Sequence, residues 1–198
     1  MITPVACAVL AAFELDAVLI AQTLVSRPLV AGAALGALTG KAQTGMLFGV
    51  AFELLSLYDL PVGGHLAWSA SVATGTATVL ASRGVSFSLC FVGGVASGVL
   101  HSRFEALERV RRAATGDALT LHAEAGGRTL GRALGSSIAL HAIMTFATAW
   151  AVVALSCFVD RRWWTSAPDF LQAGAALVSS SAPWIGLSGV MAWGLRRL

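Results

Sequence analysis

The chain has 198 residues, of which 57% are hydrophobic and 12% are charged, with a formal net charge of +3 and a mean hydropathy of +0.78. Soluble domains usually carry about 25% charged residues, and a chain of this length has too little polar surface to cover so much apolar side chain in water. The composition excludes an ordinary soluble enzyme and predicts one integral membrane domain over residues 1–198, all of it α-helical. The basic residues lie between apolar runs, so membrane topology explains them and no nucleic-acid partner is expected.

Neither the cysteines nor the histidines show the spacing of a metal site. The three cysteines lie in separate apolar runs without a C-x-x-C pair, so we expect neither a disulfide framework nor a zinc site. The four histidines lie far apart in the sequence and form no H-E-x-x-H pattern, so each is expected to be an isolated polar residue near a membrane end. We therefore predict no metal, no cofactor and no catalytic residue. The histidines are His65, His101, His122 and His141.

The first apolar stretch, 2–25, is interrupted by Glu14 and Asp16. It lacks the basic start of a secretory signal, so we expect it to be retained as the first membrane segment. A long span and a shorter interfacial helix followed by a turn both fit this pattern. Carboxylates in such a stretch normally face protein or water.

Residues 28–58 contain two short apolar runs joined by a polar turn. The runs are 28–40 and 45–58, and each is shorter than the ~20 residues that a full span needs. The pattern predicts a re-entrant helical hairpin, an element that often forms the substrate site of transporters. Two short tilted spans joined by a loop are the alternative. Arg27 precedes the hairpin, and Pro28 suits the first turn of its first helix.

Small residues recur along this predicted hairpin. Gly32, Gly36 and Gly40 follow one another at every fourth position, and Gly45 comes after the turn. On a helix, this spacing gives a smooth ridge that lets another backbone approach closely. We expect these glycines to serve packing, including contact with a partner surface.

Residues 103–132 form the only long polar region and contain six arginines. Apolar residues recur there every three or four positions, which predicts an amphipathic interfacial helix. Two spans are predicted after it, over 134–158 and 170–195. The concentration of arginine in 103–132 favours a cytoplasmic location for that region.

Glu53 lies in an apolar run and has no other charged residue within five positions. An isolated carboxylate at membrane depth is a candidate functional residue, and it can accept hydrogen bonds from sugar hydroxyls. The alternative is structural: in it, Glu53 forms an ion pair with Lys41 or Arg27 that braces the hairpin.

Three motifs in this region follow one another in a characteristic order. They are S-R-P-L-V from Ser26, G-K-A-Q-T-G from Gly40, and F-E-L-L from Phe52, the last preceded by Gly49. In this order and spacing they resemble the IIC membrane subunit of the mannose/sorbose-type sugar phosphotransferase system (PTS). The resemblance covers most of the chain, is weaker from 103 to 195, and is to a form shortened at the C-terminus.

The resemblance implies a permease subunit of a phosphoenolpyruvate-dependent system, translocating a hexose or amino sugar of the mannose class. It implies a multi-pass protein of the bacterial cytoplasmic (inner) membrane and a transport subunit rather than an enzyme. The implied partners are a IID-type membrane subunit, a soluble phosphorylated IIAB-type protein, membrane lipid and the sugar, with a homo-oligomer as a further option. By the same resemblance Glu53 and Gln43 bind substrate, while Arg27 and Pro28 have a structural role at the entry to the hairpin.

The chain departs from the family pattern at two places. Lys41 stands where the family usually has Asp, and Trp68-Ser69 stands where it usually has Pro-Asp. These departures favour an alternative function, that of a degenerate scaffold or regulatory subunit of a PTS-like system that does not transport. The retained Glu53 and Gln43 favour transport.

Overall fold

The computed structural model describes residues 2–18, 23–57, 67–121 and 127–195. These residues form seven α-helices and one short 3-10 helix, with no strand among them, so the predicted all-helical class is confirmed. The helices are α1 (Ile2–Val18), α2 (Pro28–Thr39), α3 (Ala42–Ser56), α4 (Ala70–Ser82), α5 (Phe87–Leu121), α6 (Gly127–Arg162) and α7 (Asp169–Leu195), and the 3-10 helix is Trp164–Ser166.

Helices α2 and α3 pack against each other in antiparallel orientation. Pro28 lies in the first turn of α2. A backbone N–H there would have no intrahelical partner, so proline costs the helix no hydrogen bond. Gly40 ends α2 with a φ of +73°, in the left-handed region that glycine adopts readily. The Lys41 N–H then donates to the Gly36 carbonyl over 2.7 Å, and α3 begins at Ala42. This is the geometry of a helical hairpin; its re-entrant position in a membrane stays a prediction.

Helix α4 lies at the centre of the bundle, packed against α1, α2, α3, α5 and α6. Ten of its residues are buried. Small side chains permit this central position: a Cβ at Gly75 would lie 2.4 Å from the Leu10 side chain of α1. Stacked rings join the hairpin to α5, with ring centroids 4.7 Å apart for Phe48 and Phe87 and 4.9 Å apart for Phe52 and Phe91.

The predicted polar helix over 103–132 is not an element of its own. Helix α5 runs without interruption from the apolar residues after Phe87 to Leu121, and α6 begins at Gly127. No proline interrupts the sequence of α5, and the ion pairs Glu105–Arg109 and Glu108–Arg112 have the i,i+4 order that favours a helix. Residue 103 therefore lies within α5 and does not begin a helix of its own, while the interfacial location of the polar segment stays a prediction.

Between residues 105 and 110, α5 buries its polar face and exposes its apolar face, the opposite of a surface helix in a soluble protein. Leu107 and Val110 are 68% and 71% exposed, whereas Glu105 and Glu108 are each 6% exposed. The carboxylates point into the bundle and the apolar side chains point out of it. The environment around α5 is therefore one in which apolar surface is tolerated outside, as in lipid or against a partner helix.

Three helical stretches in the described part of the chain are long and apolar enough to cross a membrane. They are Phe87–Ala114, Gly131–Ser166 and Asp169–Ala192. The last two contain most of the predicted spans 134–158 and 170–195, and the first extends an apolar run that the sequence reading took as short. The 3-10 helix joins α6 to α7, where the Gln172 amide donates to the carbonyls of Trp164 and Ala167.

Candidate functional site

Glu53 lies near the end of α3 and faces the start of α2. One carboxylate oxygen accepts a hydrogen bond from the Arg27 guanidinium over 2.5 Å, and the other accepts the Leu29 backbone N–H over 3.0 Å. The first N–H groups of a helix have no intrahelical partner and carry partial positive charge, so a carboxylate is favoured there. Glu53 thus caps α2 and ties the open end of the hairpin together.

The close approach of α2 and α3 depends on glycine. A Cβ at Gly32 would lie 2.2 Å from the Gly45 carbonyl oxygen, and a Cβ at Gly45 would lie 2.1 Å from the Gly32 carbonyl oxygen. A Cβ at Gly36 would meet the backbone of Ala42 at 2.8 Å. The face of these glycines therefore packs within the chain, and the expected contact with a partner surface is not needed to explain it. A Cβ at Gly40 would meet nothing within 4 Å, so this glycine serves the left-handed turn and not close packing.

Gln43 lies at the other end of α3 from Glu53. It is exposed in the first turn of the helix, and ten residues of helix separate the two side chains by about 15 Å along the axis. The structure therefore does not bring Gln43 and Glu53 together around one hexose within this chain. Lys41 is exposed beside Gln43, so the ion pair of Glu53 is made by Arg27 and not by Lys41.

A second polar group lies inside the bundle, where α1, α5 and α6 meet. Glu14, His101 and His141 are 3%, 1% and 0% exposed. One possible ligand atom from each lies within 4.8 Å of the other two. His101 Nε2 is 3.5 Å from Glu14 Oε1, and the two imidazole rings have centroids 5.3 Å apart. These residue types are those that hold transition-metal ions in proteins.

Neighbouring side chains hold this cluster in place. His141 Nδ1 lies 2.8 Å from Glu108 Oε2, and the Arg112 guanidinium donates to the same oxygen over 2.8 Å. The Ser69 hydroxyl, at the start of α4, donates to Glu14 Oε1 over 2.9 Å. The cluster thereby connects α1, α4, α5 and α6.

The sequence reading missed this cluster and predicted four separate histidines. His101 and His141 are 40 positions apart and meet only because α5 and α6 run side by side, which no local spacing reveals. One signal was present in the sequence: Glu14 and His141 are ionisable residues inside apolar runs, and such residues seldom face lipid.

Comparisons with known proteins agree with the fold and with the order of motifs. A family model described as "PTS system sorbose-specific iic component" matches residues 1–193. No curated protein matches the chain. A solved structure titled "Structure of membrane protein" superposes with a TM-score of 0.77 and 20% identity, covering 98% of this chain and 79% of that one; at this identity it shows the fold alone. Because the family match spans nearly the whole sequence, the chain belongs to the family of sorbose-specific IIC components of the PTS, multi-pass membrane proteins of sugar transport that work with other PTS proteins.

Proposed function

We propose that the chain is the permease subunit through which a hexose or amino sugar of the mannose class crosses the bacterial cytoplasmic membrane. The observation that carries the proposal is the family match over residues 1–193. A IID-type membrane subunit and a soluble phosphorylated IIAB-type protein are the proposed partners, with phosphoryl transfer taking place on those separate proteins.

In this proposal Glu53 contacts the sugar, and Arg27 holds the Glu53 carboxylate in position. A carboxylate has about four acceptor sites, and Glu53 uses two of them for Arg27 and Leu29. The remaining acceptor positions have no partner among the described residues and can receive sugar hydroxyls. Gln43 lies too far away to join Glu53 at one sugar, so we propose that it acts at the opposite end of the hairpin, near a partner or along the sugar's path.

A second function is favoured by a specific observation: Glu53 already braces the hairpin through both carboxylate oxygens. If bracing is its whole role, the chain fits a scaffold or regulatory subunit that does not transport. Arg27 is 49% exposed, so breaking the pair should cost only about 0.2–1 kcal/mol. The hairpin should therefore survive single substitutions at either position, and function can be measured on folded protein.

The test compares Glu53→Gln with the matched control Arg27→Gln. Both remove the same ion pair, but only the first alters the proposed sugar contact. The variants are produced with candidate IID-type and IIAB-type partners, and uptake of mannose, fructose, sorbose and N-acetylgalactosamine is measured. We expect Glu53→Gln to reduce uptake at least tenfold and Arg27→Gln to reduce it much less, at equal protein levels.

Equal losses in the two variants would restrict Glu53 to the brace. Unchanged uptake in a well-expressed Glu53→Gln variant would remove it from the sugar path. Absence of uptake of every sugar by the unmodified chain with its partners would favour the scaffold.

A further inference from the structure

We propose that Glu14, His101 and His141 bind one divalent transition-metal ion, with Zn²⁺ as the best-fitting ion. The donor atoms lie within 4.8 Å of one another. Ligands arranged tetrahedrally around zinc at about 2.0–2.1 Å are separated by about 3.3 Å. Small side-chain rotations would close the remaining distance, because His101 Nε2 and Glu14 Oε1 are already 3.5 Å apart.

The unpaired atoms of the cluster point to a missing ligand. Glu14 Oε2, both ring nitrogens of His101 and His141 Nε2 are buried without a hydrogen-bond partner among the described residues. A buried polar group without a partner is costly, and native structures rarely leave several together. A single cation coordinated by one atom from each residue would satisfy three of these side chains at once.

The surroundings of His141 are those of a metal ligand. Glu108 accepts from His141 Nδ1 over 2.8 Å, and Arg112 holds Glu108 over 2.8 Å. With Nδ1 as donor, the other nitrogen, Nε2, keeps its lone pair and is buried without a hydrogen-bond partner among the described residues. Histidines that bind metal usually donate their second ring N–H to a carboxylate in this way, which fixes the ring and raises its basicity. Ser69 orients Glu14 similarly.

The donor set selects the class of ion. Two imidazoles and one carboxylate suit zinc, cobalt, nickel or copper, whereas Mg²⁺ and Ca²⁺ prefer shells of oxygen. Three protein ligands leave a fourth position for water or another group. Glu14 supplies one negative charge directly to the ion and Glu108 a second one through His141, while Arg112 offsets part of the second.

The ion would join helices that lie far apart in sequence. Glu14 is on α1, His101 on α5 and His141 on α6, so coordination fixes the first helix against the α5–α6 pair. An ion that binds the folded state and not the unfolded chain stabilises the fold, and above its Kd the stabilisation rises with the logarithm of the free ion concentration. None of these residues belongs to the hairpin, so the metal site is independent of the proposed sugar contact at Glu53.

The test uses full-length protein purified in detergent with a tag free of histidine and stripped with a chelator. Zn²⁺ and Mg²⁺ are titrated separately, with bound metal measured by elemental analysis and thermal unfolding by tryptophan fluorescence. We expect one Zn²⁺ per chain, a Tm that rises with Zn²⁺, and no effect of Mg²⁺. Wild-type protein that binds no stoichiometric Zn²⁺ and gains no thermal stability overturns the proposal and leaves the cluster as a histidine–carboxylate ion pair.

Variants then assign the site. His101→Ala and His141→Ala should each abolish saturable binding, and Glu108→Gln, which changes a positioning residue, should weaken binding 10- to 100-fold at unchanged stoichiometry. Glu105→Gln is the matched control, because Glu105 is a buried carboxylate of α5 that pairs with Arg109 outside the cluster. Binding that persists in both histidine variants overturns the assignment. Should they fail to fold, Co²⁺ bound to wild-type protein must show the intense visible absorption of a four-coordinate site, and its absence is equally decisive.

Discussion

Helices α4 and α7 are both apolar in sequence, yet they occupy opposite environments. Helix α4 is surrounded by five other helices, and its threonines Thr74, Thr76 and Thr78 are completely buried. Helix α7 packs mainly on α3 and α5 and exposes large side chains such as Leu177 and Trp184, which are 70% and 71% exposed. Polar side chains are buried in α4 and large apolar side chains are exposed on α7, and both features are unusual in a soluble bundle.

Hydroxyl groups are satisfied in the same way in both helices, so they do not distinguish the two environments. Thr74 and Thr78 of α4 donate to the carbonyls four residues earlier over 2.8 Å. Ser180 of α7 donates to the Leu177 carbonyl over 3.0 Å. The difference lies in side-chain size: small residues let α4 be enclosed, whereas large residues keep the outer face of α7 in contact with lipid or a partner.

The largest loss of stability is expected where the backbones of α2 and α3 touch beside α4. In Gly32→Ala the new Cβ would lie 2.2 Å from the Gly45 carbonyl oxygen and 2.9 Å from Thr74 of α4, and neither helix can yield without separating. We expect a loss of about 3 kcal/mol or more, measured as a lower Tm in detergent. Gly174→Ala in α7 is the control, because nothing lies within 4 Å of the added carbon. Similar shifts in both variants would show that the hairpin is not closely packed.

A somewhat smaller effect is expected from a charge on the outer face of α7. Leu177→Arg places a guanidinium on a helix long and apolar enough to span the membrane, at a cost of about 2.5–3.5 kcal/mol near the centre of a span. The membrane-inserted fraction of the protein should fall.

Leu107→Arg provides the comparison for Leu177→Arg. Leu107 is exposed to a similar extent but lies in the last part of its candidate span, Phe87–Ala114, where the long arginine side chain can extend to the polar interface and the charge should be tolerated better. Full insertion of Leu177→Arg would contradict a lipid-facing position for this face of α7.

The sequence predicted those features that depend on local pattern. Pro28, Gly40 and the small residues between them indicated a helix, a turn and close packing, because their backbone preferences are local. The long apolar run over 134–158 likewise predicted a helix, because hydropathy along a segment is also a local property of the sequence.

What the sequence could not predict depends on contacts between distant segments. The 103–132 region was assigned as a separate helix because polarity changes there, but backbone continuity decides where a helix ends, and α5 continues to Leu121. The cluster of Glu14, His101 and His141 requires three helices to meet. The position of Gln43 relative to Glu53 follows from helix length, once α3 is known to be continuous.

A smaller effect is expected for a single hydrogen bond at α4. Thr76 and Ser97 share one over 2.9 Å, and both are completely buried. Thr76→Val keeps the shape and leaves the Ser97 hydroxyl without this partner, so we expect a loss of about 1 kcal/mol.

The double variant Thr76→Val with Ser97→Ala should recover most of that loss, because both polar groups are then removed. Ser180→Ala on α7 should change stability by close to zero. A double variant less stable than Thr76→Val alone would indicate that packing, not the hydrogen bond, determines the effect.

The last comparison uses two substitutions that report the orientation of the protein in the membrane. Arg109 lies 22 residues after Phe87 in one continuous helix, a rise of about 33 Å, close to the ~30 Å of the hydrocarbon core. The Ser86 N–H lies 3.5 Å from Asp160, so the start of α5 and the end of α6 share one end of the bundle. Trp163, 62% exposed, lies at that end, opposite Arg109.

The two ends of the bundle differ less in their number of arginines than the sequence predicted. Arg83 joins Arg161 and Arg162 around one groove of about 370 Å³, so the end that holds Trp163 is also basic. The polar end of α5 still carries more arginines, at 103, 109, 111 and 112, and we predict that it faces the cytoplasm. Arg109→Cys and Trp163→Cys, each made in a Cys157→Ser background, should label from opposite sides with an impermeant thiol reagent. Cys7 and Cys90 are buried and should stay unlabelled.

Arg109 is 58% exposed, but Glu105 is buried and loses this partner in Arg109→Cys, so the labelling of that variant is interpreted only if it accumulates to the level of the unmodified chain. Labelling of Arg109→Cys from outside the cell would reverse the orientation and, with it, the direction in which α7 crosses. Labelling of both cysteines from the same side would mean that α5 and α6 do not cross the membrane along this axis. Only this second result would assign the exposed face of α7 to a partner subunit or to water instead of lipid, because α7 follows directly from Trp163 and the 3-10 helix.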